Sequence, residues 1–241
     1  MSERETPIER LAVALDTPDW ATFEGWADRF GPRVGFLKVG LEAYVRWGPA
    51  AVVRARAAGA RIFLDLKLHD IPNTVAGAVA AASDLGVELL TLHAGGGPTM
   101  MVAAAEAAER SGAGLQLLAV TVLTHLEAAE LERLGLPGPP AQRAVDWARL
   151  AREAGCAGVV CSPLEAAPLR AALPRPFRIV TPGIRLPEGE RGDQRRIATP
   201  GAAIAAGADL LVVGRPLTRA ERPVEALAAF AREIAGAAAS G

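Results

Sequence analysis

Apolar runs rich in branched residues recur along the 241-residue chain, with Ala-rich helical segments between them. Eight runs read as strands: RLAVALD (10–16), VGFLKVG (34–40), RIFLDLK (61–67), LLTLHA (89–94), QLLAVTVL (116–123), GVVCS (158–162), FRIVTPG (177–183) and LLVVGR (210–215). The intervening helices are well marked. NTVAGAVAAASDLG (73–86) is built of helix formers and has Gly86 placed to stop it. Strands alternating with helices predict parallel pairing through helical crossovers. Eight such units in a chain of this length predict a (β/α)8 barrel, a TIM barrel, filling residues 1–241 as one domain. A doubly wound open sheet remains the alternative, because alternation alone does not require closure.

No linker, low-complexity tract or internal repeat divides the chain. Two loop-like stretches are long: GLPGPPA (135–141) and RLPEGERGDQRR (185–196). The second follows the seventh strand and holds four arginines. It reads either as a solvated surface loop or as a lid that closes over an anionic ligand.

The third strand breaks the apolar pattern. In FLDLKLHDIPNT (63–74), Asp65, Lys67 and Asp70 bring three charges within six residues, with His69 among them. Side chains alternate across a strand, so Asp65 and Lys67 share one face while Leu64, Leu66 and Leu68 share the other. Composition sharpens this. Of 26 basic residues only two are lysines, Lys38 and Lys67, and both end strand-like runs. Codon bias or thermal adaptation explains the arginines but not which lysines remain. A lysine is a compact ammonium able to lose a proton, whereas arginine stays charged and bulky. The two positions therefore read as ones whose chemistry forbids arginine.

The formal net charge of −1 offers no broad field for nucleic acid or an anionic membrane. No apolar run approaches the roughly 18 residues that span a bilayer. MSERETPIER is charged where a signal peptide would be apolar. Cys156 and Cys161 have neither zinc-ligand nor redox spacing, so they read as buried thiols of a cytoplasmic protein.

In a barrel, active-site groups gather at the C-terminal ends of the strands. Here those ends carry Asp16, Lys38, Asp65 with Lys67, His93, Thr124, Ser162, and Gly214 with Arg215. VVGRPLT places Gly214 and Arg215 before a helical segment at the eighth strand, where loops of such barrels commonly bind phosphate. His69, His93 and His125 lack metal-ligand spacing, and nearby lysines would repel a cation. No nucleophile-elbow or Cys–His signature occurs. Lys67 as a Schiff-base amine is disfavoured, since flanking carboxylates favour an ammonium that gives away a proton.

With these residues in view, FLDLKLHDIPNT resembles the signature of the orotidine 5′-monophosphate decarboxylases, whose D-x-K-x-x-D core falls on Asp65, Lys67 and Asp70. VALD (13–16), LKVG (37–40), AVTVLT (119–124), GVVCS, VTPGIR (180–185), GDQRR (192–196) and VVGRP agree in the same order along nearly the whole chain. The resemblance implies a cofactor-free barrel, usually a homodimer, that converts orotidine 5′-monophosphate to UMP and CO2. It implies a charge network of Lys38, Asp65, Lys67 and Asp70, with Asp70 supplied by the partner subunit and Lys67 protonating C6. Asp16 and Lys38 would hold the ribose, and Thr74 would reach the other subunit's ligand. Thr124 would contact the base; Arg185, Gln194, Gly214 and Arg215 would engage the phosphate and the closing loop. Sister enzymes acting on sugar phosphates, 3-keto-L-gulonate 6-phosphate decarboxylase and hexulose 6-phosphate synthase, share the core but use Mg2+ and an acid where this chain has Lys38. A catalytically silent phosphate-binding barrel would not need the three charges together.

Overall fold

The computed structural model describes residues 6–187 and 196–239. Its eight parallel strands are β1 (Leu11–Ala14), β2 (Phe36–Gly40), β3 (Arg61–Leu68), β4 (Leu89–His93), β5 (Gln116–Val120), β6 (Gly158–Val160), β7 (Arg178–Thr181) and β8 (Leu210–Val213). They pair in chain order, and β8 closes onto β1 through Leu11–Leu211 and Val13–Val213. Closure excludes the open sheet. Each of the eight runs predicted from the sequence holds one strand; seven lie within their runs, and β3 extends one residue beyond its run, to Leu68.

Pleating sorts each strand into two layers. Ala12, Phe36, Phe63, Leu89, Leu118, Val180 and Leu210 fill the barrel interior. Their neighbours, such as Val13, Leu37, Leu64, Leu90 and Val213, pack outward against the helices. Burying each large apolar side chain contributes about 1.5–3 kcal/mol, so both layers favour this register over a one-residue slip.

Helix ends follow local chemistry. Asp19 caps the helix Trp20–Phe30 by accepting from the Thr22 amide at 2.7 Å. The helix expected over 73–86 spans Pro72–Asp84, and Gly86 follows it at φ 65°, a left-handed turn suited to glycine. The expected loop 135–141 is shorter than predicted, because Pro140 already starts the helix Pro140–Glu153. Of the segment 185–196, positions 188–195 lie outside the described residues, Gln194 with them. Among the described residues no helix is long and apolar enough to cross a membrane.

Candidate active site

A cavity of about 460 Å³ opens at the C-terminal mouth of the barrel. Phe63, Asp65 and Lys67 reach it from β3, while Leu64, Leu66 and Leu68 pack in or against the outer layer. The strand is not regular, however. Its register with β4 shifts between Leu64 and Leu68, and Lys67 has φ 51°. Lys67 is the only non-glycine with positive φ among the described residues. Such a conformation costs on the order of 1–3 kcal/mol and persists only where neighbours impose it.

Thr91 of β4 is such a neighbour. Its hydroxyl accepts the Lys67 amide at 2.9 Å and donates to Asp65 Oδ1 at 2.9 Å. One buried hydroxyl thereby fixes the backbone that carries the lysine and the carboxylate that faces it.

Asp65 links the charges. Its Oδ1 accepts from Lys67 Nζ at 2.8 Å, and its Oδ2 lies 3.3 Å from Lys38 Nζ. Lys38 Nζ in turn lies 3.5 Å from Asp16 Oδ2. Asp16, Lys38, Asp65 and Lys67 thus alternate in sign. The Lys38 side chain is 9% exposed and that of Asp65 13%. Burial is the largest influence on each and opposes its charge, but the partners prevail. Asp65 and Asp16 hold the Lys38 pKa above its ordinary value, and Lys38 with Lys67 holds that of Asp65 below. Gly40 makes room for this arrangement. A Cβ there would sit 2.5 Å from Asp16 Oδ1 and 2.9 Å from Lys38 Nζ.

The other side of the cavity carries two guanidinium groups. Arg185 after β7 and Arg215 after β8 both line it. Burial, and then the Arg215 guanidinium, pull the Arg185 pKa down. A Cβ on Gly214 would meet only Ala14 Cβ, at an ordinary 3.6 Å. Among the described residues nothing else comes within 4 Å of that position, and Gly214 lines the cavity.

Asp16, Lys38, Asp65, Lys67, Thr124, Arg185, Gly214 and Arg215 therefore meet in one cavity. Asp70 and Thr74 do not line it. Both are exposed beyond the end of β3, where Asp70 Oδ1 accepts the Ile71 amide at 2.7 Å. Two polar strand ends also stand apart from it. Ser162 is buried and caps its own turn by accepting from Leu164 N, and His93 stacks on His69 with ring centroids 5.2 Å apart. No group of three or more metal-ligating side chains occurs among the described residues. Cys156 and Cys161 are buried free thiols; burial pushes Cys156 up to about 12, so it stays protonated and packs. Sequence reasoning missed Thr91, Trp26 and Arg219, the last two lining the cavity. For Thr91 the available signal was a lone hydroxyl inside LLTLHA.

The chain is similar to known proteins along nearly its whole length. A curated relative from Halorhodospira halophila, named orotidine 5′-phosphate decarboxylase, is 53% identical over 228 residues, 95% of this chain and 97% of its own. One of the same name from Anaeromyxobacter sp. (strain K) is 52% identical over 226 residues, 93% of this chain and 98% of its own. The crystal structure of orotidine 5′-phosphate decarboxylase from Lactobacillus acidophilus superposes with a TM-score of 0.81 at 35% identity, covering 93% of this chain and 98% of that one. Residues 9–230 match the model of the orotidine 5′-phosphate decarboxylase / HUMPS family, and the chain belongs to that family.

Proposed function

We propose that the chain decarboxylates orotidine 5′-monophosphate to UMP and CO2, the last step of de novo pyrimidine synthesis, with Lys67 as proton donor. The observation that carries this reading is the alternating series Asp16–Lys38–Asp65–Lys67 at one side of a cavity whose other side presents Arg185 and Arg215. The phosphate lies between the arginines and against the Gly214 backbone, which places the pyrimidine toward Lys67. The C6–carboxylate bond breaks, its electron pair stays on C6, and the Lys67 ammonium transfers a proton there. The resulting amine regains a proton from solvent.

The network makes this fast by being in place beforehand. Negative charge develops on a ring carbon with no adjacent carbonyl to delocalise it fully, and a fixed ammonium aimed at that carbon stabilises it without reorganisation. Asp65 and Thr91 hold the ammonium's strand and side chain, so the cost of its strained backbone is met during folding rather than during turnover. Phosphate binding remote from C6 supplies binding energy that orders the site.

Asp70 and Thr74 complete a partner subunit's site in this reading. Their exposure outside the chain's own cavity supports it, as does Ile71, 67% exposed between them. Gln194, outside the described residues, belongs in this reading with the groups that engage the phosphate and the closing loop. Reaction without a metal or other cofactor follows from chemistry in which both Asp65 oxygens already face ammonium groups. Charge and cysteine usage fit a cytoplasmic enzyme.

Loss of the absorbance of orotidine 5′-monophosphate on mixing with the purified protein, unchanged by EDTA, is the expected result. Turnover that EDTA abolishes and Mg2+ restores would favour the metal-dependent sugar-phosphate branch instead.

A further inference from the structure

We infer that His93 is a positioning residue: its uncharged ring, stacked on His69, fixes the link that carries Asp70, and protonation of the stacked rings releases it. This rests on the decarboxylase reading above, in which Asp70 completes a partner subunit's site.

His69, Asp70 and Ile71 form the irregular link between β3 and the helix Pro72–Asp84, and all three are exposed. A link of this kind has little burial to hold it in one conformation. One tie to the barrel is the ring of His69. It lies on that of His93 at the end of β4, nearly parallel at 12° and with centroids 5.2 Å apart. His93 is held on two further sides. Its Nδ1 accepts the Gly95 amide at 3.0 Å, and Trp147 of the helix Pro140–Glu153 meets it edge-on at 5.9 Å. The Gly-rich turn HAGGG (93–97) fits around the pair. A Cβ on Gly96 would lie 2.2 Å from Met100 Sδ and 3.3 Å from His69 Cδ2, and one on Gly95 would lie 3.0 Å from His93 Nδ1.

This geometry needs a neutral His93. A ring nitrogen that accepts the Gly95 amide carries no proton, and an imidazolium has no accepting nitrogen left. The neighbouring charges oppose protonation too. Burial, then His69 and Lys67, hold the His93 pKa below its ordinary value. From the helix side come Trp147 and, 5.8 Å over its ring, the cationic Arg143. Asp70 gives its Oδ1 to the Ile71 amide. A proton on His93 therefore breaks the Gly95 bond and sets a cation near Lys67. Protons on both rings set two stacked cations face to face. Either loosens the link, and Asp70 with it.

The test follows kcat/KM on orotidine 5′-monophosphate from about pH 7.5 to about pH 5, the range in which histidine titrates. His69→Ala removes the stack and is expected to lower kcat/KM about tenfold at the neutral end, through a misplaced Asp70. In an Asp70→Ala background the same change should cost less than about threefold of the residual rate, because no acid is left to aim. His69→Phe with His93→Phe keeps two stacked rings that carry no charge, and should stay within about threefold of wild type at the neutral end. Its rate relative to wild type should then climb at least about threefold at the acid end. Titration of the substrate's phosphate affects both proteins and cancels in that ratio. A flat ratio, a double phenylalanine variant crippled at neutral pH, an undiminished His69→Ala, or equal losses with and without Asp70 would overturn the inference. So would failure of the variants to fold, which would assign the rings to the fold alone. Any of these with an active wild type leaves the decarboxylase reading standing; a wild type inactive on orotidine 5′-monophosphate would refute that reading and this inference with it.

Discussion

The side chain of Thr91 governs the backbone of Lys67: its hydroxyl accepts the lysine's amide and donates to the carboxylate that the lysine's ammonium also contacts. Thr91→Val keeps the volume and removes both bonds. The expected loss is roughly 2–4 kcal/mol of stability, from an amide and a charged acceptor left short of partners. Turnover should fall about 10- to 100-fold as Lys67 loses its aim. Thr91→Ser restores the hydroxyl and should recover most of both. Chemical denaturation and steady-state rates of the two variants check this.

Lys67 itself is tested by two substitutions. Lys67→Ala should abolish turnover while UMP still binds, because the arginines and Gly214 remain. Lys67→Arg should fail almost as badly: its delocalised charge does not release a proton, and its fork does not fit the space of an ammonium. Isothermal titration with UMP and rate assays separate binding from chemistry. Activity of Lys67→Arg within tenfold of wild type would reduce the lysine's role to charge alone.

Gly40 offers a purely steric probe. Its φ of −96° suits any residue, so alanine adds no backbone strain. The new Cβ would nonetheless collide with Asp16 and Lys38. Gly40→Ala should fold and lose activity by about tenfold or more as the pair is displaced. Circular dichroism and kcat/KM measured together distinguish this from unfolding.

Much of this was legible because period and chemistry coincide. The branched runs could bury only as strands between helices, and Asp65 and Lys67, two apart, share a face wherever the strand sits. Even the irregularity after Leu64 left the leucines outward and the charges inward. What was hidden depends on contacts between strands. The left-handed backbone of Lys67 is imposed by Thr91, 24 residues away, and no local pattern encodes it. Ser162 and His93 show the converse. A polar strand end can satisfy its own turn, as Ser162 does, or stack on a neighbouring ring, as His93 does on His69.

The charge network also sets a pH dependence. Asp65 is held below its ordinary pKa, so the unfolded chain binds the proton first as pH falls. Its contribution to stability is present above the unfolded value, about 4, and is lost as pH falls through the folded one. Lys38 is held above its ordinary value, so its contribution is complete below about pH 10.5 and is lost as pH rises through the folded value. Asp65→Asn leaves buried Lys38 with only half-exposed Asp16, and should cost about 3 kcal/mol at neutral pH. The gap between wild type and variant should hold from about pH 5 to 9 and narrow below about pH 4. Urea titrations across that range read it directly; a gap that widens in acid would contradict the assignment.

Asp70 and Lys67 lie only three residues apart in sequence, yet the lysine lines the chain's own cavity and the acid, exposed, does not. If Asp70 serves a neighbouring subunit, single-site variants must complement each other. Asp70→Ala and Lys67→Ala homodimers should each be nearly inactive. A mixed dimer has one site with both substitutions and one with neither, so it should regain up to half of wild-type activity per dimer. Random exchange produces mixed dimers as half of the population, which sets an expected recovery of about a quarter. Mass spectrometry of differently tagged subunits verifies exchange, and activity is read in the same sample. Verified mixed dimers without recovered activity would confine Asp70 to its own subunit.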